Sequence, residues 1–242
     1  VNETMDAYQY YKSLAYAVEP DMVMAAADEE NVNDTVTDVD ITSFEVSDST
    51  NPITTLDDEI STPVISEKKE KVIALIDTGA EETQNVINRV SLIDDNLSGT
   101  NSHGDEMVNA IVGQDKNAKV LSIRALGDDG KGTISSIVAA MEYAISQDVD
   151  IINLSLYAKT NALNSVLEAE IEKADEEGIM VVGAAGNDGA DVSNYMPGSV
   201  WQAIIIGACN EEGRRYPFSN YGENVAYYVN AESTSEAAAK FS

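Results

Sequence analysis

Val72-Ile73-Ala74-Leu75-Ile76-Asp77-Thr78-Gly79 is an apolar run of five residues closed by an aspartate, a threonine and a glycine. A continuous apolar run of this length, bounded by a turn signal, predicts a strand covered on both faces. Four more runs have the same character: Val120-Leu121-Ser122-Ile123, Ile151-Ile152-Asn153-Leu154, Ile179-Met180-Val181-Val182-Gly183 and Ala203-Ile204-Ile205-Ile206. Between them, 104–112, 133–147 and 162–177 read as helices. The last carries Val166, Ala169, Ile171 and Ala174 opposite a face of glutamates and stops at Gly178, a natural C-cap. Strands alternating with helices predict an α/β domain, a three-layer, doubly wound, mostly parallel sheet with helices on both faces. Working residues gather at the C-terminal ends of strands in such a sheet. Asp77, Ser155 and Asn187 all fall at such ends.

Around this core the composition changes. Residues 71–242 hold all the periodic segments and are read as one domain. Residues 28–70 read as an acidic linker or extension, with Ser and Thr throughout 28–62 and breaks at Asn51-Pro52 and Thr62-Pro63. Residues 1–27 read as a short helix with three tyrosines, followed by Tyr16-Ala17-Val18-Glu19-Pro20 and Met22-Val23-Met24. The formal net charge is −29, and residues 1–70 alone hold 17 acidic and 3 basic side chains. Such a surface excludes nucleic acid as a partner, because the phosphate backbone needs a basic one. No apolar run reaches the length of a membrane helix, and the N-terminus has no signal-peptide pattern. Cys209 is the single cysteine, which precludes an intrachain disulfide, and its apolar neighbours make it a small buried hydrophobe.

The chain also holds a single histidine, His103, in Asn101-Ser102-His103-Gly104. Asp77 precedes it; Ala184-Ala185-Gly186-Asn187 and Ser233-Thr234-Ser235-Glu236-Ala237 follow. Asp, His and Ser in that order form one of the known chain orders of a nucleophilic triad. A serine hydroxyl needs a base to take its proton, an imidazole can supply that base, and a buried carboxylate holds the imidazole in the productive tautomer. Each fragment alone has a plainer reading. Asp77 would be a strand-end turn, His103 a polar residue at a helix start, Asn187 a turn residue, and Ser235 the N-cap of a final helix.

Taken together, residues 71–242 resemble the subtilisin-like serine proteases, the subtilases. The run 72–79 resembles the family's Asp motif, and His103-Gly104 with Val108 and Gly113 its His motif. Leu126 to Gly132 resembles the edge that pairs with extended substrate, and Asn153-Leu154-Ser155-Leu156 one wall of the main specificity pocket. Ala184 to Asn187 resembles the oxyanion-hole motif, and Thr234-Ser235-Glu236-Ala237-Ala238 the nucleophile motif. Tyr195-Met196-Pro197-Gly198 and Phe218 to Gly222 resemble later landmarks.

The resemblance implies a serine endopeptidase with Asp77, His103 and Ser235 as triad and Asn187 as oxyanion donor. Gly130, Lys131, Gly132, Ser155, Leu156 and Tyr157 would contact the substrate, which would lie as an added strand. It implies protein or peptide substrates, a secreted or cell-surface location and no required cofactor or metal. Departures are equally specific. No second histidine follows His103, Tyr157-Ala158 replaces a glycine pair, and Ser233 replaces the glycine before Thr-Ser. The segment between Gly113 and Val120 is too short for the loop of the strong calcium site of classical subtilisins, so that site is expected to be absent. The domain reads as stopping short of the family's usual C-terminus. Residues 1–27 read either as the remnant of the chain's own propeptide, with its end in the substrate cleft like a product and the cleavage point within 25–62, or as an unrelated acidic extension. Two rival classes are a catalytically inactive subtilase-like module that binds peptides or acts as a scaffold, and an aspartic or metal-dependent hydrolase. The second lacks both a repeated Asp-Thr-Gly and a histidine cluster for zinc. Oligomeric state is not legible.

Overall fold

A computed structural model describes residues 23–27, 70–159 and 165–242. In chain order its elements are β1 (Val23–Ala26), β2 (Val72–Asp77), β3 (Val86–Ser91), α1 (His103–Gln114), β4 (Lys119–Arg124), β5 (Lys131–Thr133), α2 (Ile134–Ser146), β6 (Ile151–Leu154) and β7 (Leu156–Lys159). They continue with α3 (Ser165–Glu176), β8 (Met180–Ala184), β9 (Tyr195–Met196), β10 (Ile204–Cys209), β11 (Val225–Asn230) and α4 (Thr234–Phe241). The short helix expected near the N-terminus and the acidic segment 28–69 lie outside the described residues.

Seven strands form the main sheet in the order β11-β10-β8-β6-β2-β4-β3, every neighbouring pair parallel. Alternation along the strands splits the core in two. Ala74, Ile76, Leu121, Ile123 and Ile152 pack with α2 and α3. Ile73, Leu75, Val120, Val182 and Ile206 pack on the other side with α1 and α4. This is the expected three-layer arrangement. It follows from β-branched strands too apolar to leave either face in water. The sheet begins in its interior at β2, extends one way through β4 and β3, then crosses over to β6, β8, β10 and β11. The winding direction reverses between β2 and β6, which opens a crevice at their C-terminal ends.

A second, four-stranded sheet has the order β5-β1-β7-β9. Here β1 pairs antiparallel with β5 through Val23–Thr133, Met24–Gly132 and Ala25–Lys131, and with β7 through Ala25–Tyr157 and Ala26–Leu156. The sequence reading contains neither this sheet nor β3 and β11.

Helix α3 corrects one expectation. Its core stripe is Leu167, Ile171 and Ala174, while Ala169 is exposed. The i, i+4, i+7 spacing of the larger side chains sets the buried face. Gly178 ends the helix as expected, at φ +76°, with Ile179 N donating to Ala174 O (2.8 Å) and Gly178 N to Asp175 O (2.9 Å). Those two bonds form a Schellman cap.

The same helix buries Glu170, 8% exposed, with Oε2 lacking a hydrogen bond. Burial pushes its carboxyl up to about 7; Lys173, 3.7 Å away, pulls it down and Glu142 pushes it up again. A carboxyl whose folded pKa lies above its unfolded value binds more protons in the native state, so stability falls as pH rises from about 4.5 to 7. Glu170→Gln is therefore expected to stabilise the fold by about 1–3 kcal/mol at pH 8 and by little at pH 4. Urea unfolding of both proteins at the two pH values checks this. An equal gain at both would show that titration is not the cause.

Candidate active site

Asp77 ends β2 fully buried, and its Oδ1 lies 2.7 Å from His103 Nδ1 and accepts from Thr78 N at 2.6 Å. A carboxylate can only accept, so Nδ1 carries the hydrogen and Nε2 is the basic nitrogen. His103 is the first residue of α1, 5% exposed, and the start of that helix is held against the strand end. Gly104 N donates to Thr78 Oγ1 (3.0 Å), Thr78 Oγ1 to Asn101 O (3.3 Å), and His103 N to Asn101 Oδ1 (2.9 Å). Gly104 approaches the Gly79 carbonyl so closely that a Cβ there would overlap it. The glycine after the histidine is thus what lets the helix reach the aspartate.

Arg124, only 2% exposed, sits behind this pair at the end of β4. Its Nη1 donates to Thr78 O (2.5 Å), and its Nη2 to Asp94 Oδ2 (3.1 Å) and Asp128 Oδ1 (3.0 Å). The Arg124 hydrogen bond holds the Asp94 carboxyl below its ordinary range. Asp128 in turn accepts from Thr100 N at 2.9 Å. One guanidinium therefore ties the strand end carrying the aspartate to the loops that follow β3 and β4.

Ser235 is the second residue of α4, which packs beside α1. Its expected alternative role, the helix N-cap, belongs instead to Ser233, whose Oγ accepts from Glu236 N at 3.1 Å. The departure from glycine at 233 thus supplies a cap and keeps the helix start in place. The Ser235 hydroxyl donates to Ser155 O at 2.9 Å. Ser155 Oγ lies 2.9 Å from both Ser235 O and Asn153 Oδ1, and Asn153 Nδ2 donates to Ser242 Oγ at 2.9 Å. The end of β6 and the start of α4 are therefore locked together at the crevice.

Asn187 follows β8. Its Oδ1 accepts from Thr234 N (3.2 Å) and Thr234 Oγ1 (2.9 Å), and Gly186 N donates to Thr234 Oγ1 (3.1 Å). A backbone N–H can only donate, which assigns the amide oxygen and identifies Nδ2 as the donor. Asn220, fully buried, braces this loop. Its Oδ1 accepts from Asp188 N (3.1 Å) and Ala190 N (2.8 Å), and its Nδ2 donates to Ala185 O (2.8 Å). The N-terminal amides of α4 have no partner within the helix, and its dipole places positive charge at Ser235.

The crevice is filled by the chain itself. Residues 23–26 form the middle strand between β5 and β7, with Ala26 N donating to Gly130 O at 2.9 Å. Ala27 N donates to Ser155 O (3.3 Å) and to Ser235 Oγ (3.0 Å). Met24 and Ala27 are fully buried, and Val23 is exposed. All ten residues singled out from sequence (Asp77, His103, Gly130, Lys131, Gly132, Ser155, Leu156, Tyr157, Asn187 and Ser235) line this one crevice or the strands that frame it. Arg124 carries no signal in the sequence, and Asn153, Asn220 and Thr234 fall in segments that resemble the family without revealing their bracing roles, whose partners lie far along the chain. Cys209 is buried as expected, and burial pushes its thiol up. Among the described residues no helix is long and apolar enough to cross a membrane.

A buried aspartate–imidazole pair, a helix-borne serine and an extended strand of the same chain, all at the switch point of a doubly wound sheet, define an α/β fold with a crevice that holds its own chain. The subtilase family profile matches residues 53–240, and the chain belongs to the subtilase family. It is 33% identical over 167 residues to a thermophilic serine proteinase of Bacillus sp. (strain AK1), covering 62% of this chain and 41% of that protein. It is 30% identical over 178 residues to subtilisin BL of Lederbergia lenta, covering 67% of this chain and 65% of that one. A cold adapted subtilisin-like serine proteinase of known crystal structure shares the fold with a TM-score of 0.64 at 22% identity, over 70% of this chain and 71% of that chain. The chain spans less than two thirds of the length of these curated relatives.

Proposed function

We propose that the chain is the catalytic region of a serine endopeptidase that cleaves proteins or peptides through an acyl-enzyme on Ser235. His103 Nε2 takes the Ser235 proton as Oγ attacks the carbonyl carbon, and Asp77 orients the ring and stabilises the imidazolium. Asn187 Nδ2 and the Ser235 amide face the developing oxyanion, a contribution of about 2.7–4 kcal/mol per donor. Collapse breaks the C–N bond and His103 returns the proton to the leaving amine. Water then attacks the ester, giving one proton to His103 and through it to Ser235 Oγ, and the acid is released.

The observation that carries this reading is the strand 23–27 lying between the two edges of the crevice, its last amide 3.0 Å from Ser235 Oγ. It supports a second part of the proposal. Residues 1–27 are a propeptide, 28–70 an acidic linker and 71–242 the catalytic domain, with Ala27–Asp28 as the bond the enzyme cuts in itself. The chemistry requires no metal or cofactor, and we place the enzyme outside the cell or on its surface, in keeping with its family.

Treatment of the full chain with a fluorophosphonate probe is expected to label Ser235, and the processed protein is expected to begin at Asp28. A folded chain that takes no label would instead favour the non-catalytic peptide-binding module.

A further inference from the structure

Ala27, whose amide bonds both Ser155 O and Ser235 Oγ, is the residue immediately before the bond that Ser235 would cut. Its fully buried side chain belongs to the apolar cluster against which Tyr157 packs. The ring of Tyr157 extends from β7 to the loop after β8. A Cβ placed on Gly186 would lie 2.9 Å from Tyr157 Cδ2 and 3.2 Å from Cε2. Tyr157 Oη lies 3.3 Å from Asp188 Oδ1, and its ring centroid is 5.8 Å from that of Tyr195, tilted by 47°. Gly186 has φ +98°, a conformation that favours glycine, so the loop backbone can pass directly against the ring. Hydrogen bond, ring contact and backbone together hold Tyr157 of β7, the strand that pairs with β1, against residues 186–188 of the loop after β8.

We propose that Tyr157 closes the pocket for the residue preceding the scissile bond, so that the enzyme cleaves after alanine, glycine or serine and rejects aromatic and long side chains there. The proposal rests on the endopeptidase reading above. An aromatic side chain could enter only by displacing the Tyr157 ring from Gly186, Asp188 and Tyr195. The chain's own strand agrees: Met24 and Ala26 are buried on one side, and alanine stands at the cleavage position.

The test compares Val-Met-Ala-Ala-Xaa p-nitroanilides with Xaa alanine or phenylalanine, using the full chain. The wild type is expected to favour alanine in kcat/KM by roughly 10–200-fold, the range for a pocket that discriminates by size. Tyr157→Gly is expected to move that ratio at least about tenfold toward phenylalanine. A wild type that labels with fluorophosphonate yet cleaves the phenylalanine peptide as fast as the alanine one overturns the proposal, and this holds even if the variant fails to fold. Absence of both labelling and hydrolysis overturns the endopeptidase reading, and this proposal with it.

Discussion

Ser235→Ala is expected to lower peptide hydrolysis about 10⁶-fold, the loss seen on removing the triad nucleophile of a subtilisin. It is also expected to leave Ala27 joined to Asp28. The substitution removes one oxygen atom. With it go the hydrogen bond given to Ser155 O and the one accepted from Ala27 N. Helix α4 keeps its Ser233 cap and its buried Ala237, Ala238 and Ala239, so the fold should lose only about 1–2 kcal/mol. Chemistry and folding are thus separable in this variant. Mass spectrometry of the purified full chain reads the result directly. A Ser235→Ala chain that still appears cut after Ala27 when made in isolation would remove the assignment of Ser235 as nucleophile.

Asp77→Asn is expected to reduce kcat about 10⁴-fold with a much smaller change in KM. The amide keeps the shape of the carboxylate but not its charge. An N–H turned toward His103 would select the tautomer with the proton on Nε2, which cannot accept one from serine. Even with its oxygen held by Thr78 N, as Asp77 Oδ1 is now, asparagine cannot stabilise the imidazolium by charge. Because the hydrogen bonds of Asp77 run to Thr78 and His103 and not to the strand in the crevice, binding should survive. Steady-state kinetics on the alanine peptide separates the two parameters. A kcat within tenfold of wild type would mean that the 2.7 Å contact to His103 is structural and not catalytic.

The parts of the fold that were readable are those in which local chemistry and global position agree. Residues 72–76 can only be a doubly covered strand, and Gly178 can only end a helix whose stripe has run out. Asp77, His103, Asn187 and Ser235 could be singled out as candidates because each sits in a short motif that needs its neighbours, as Gly104 does beside the Gly79 carbonyl. Helix α3 misled in one detail. Ala169 and Leu167 are both apolar, and the larger side chain took the core position. Strand β11 was invisible for another reason. It sits at the edge of the sheet with Tyr227 and Tyr228 exposed, so it lacks the continuous apolar character of its neighbours.

From residue order alone came the alternation of strands and helices, the Asp, His, Ser order with its single imidazole, and the family resemblance. These depend on interactions within a few residues or on motifs that carry their own geometry. The tertiary structure alone decided how the site is braced: Arg124 across Thr78, Asp94 and Asp128, Asn220 beneath the oxyanion loop, and Thr234 on Asn187. It also fixed the pairing of residues 23–26 with β5 and β7 and set Tyr157 against Gly186 and Asp188. All of those contacts except Arg124 with Asp128 join groups that are distant in sequence. The energy that selects such a partner exists only once the parallel sheet has brought the strand ends together, and no local pattern encodes it.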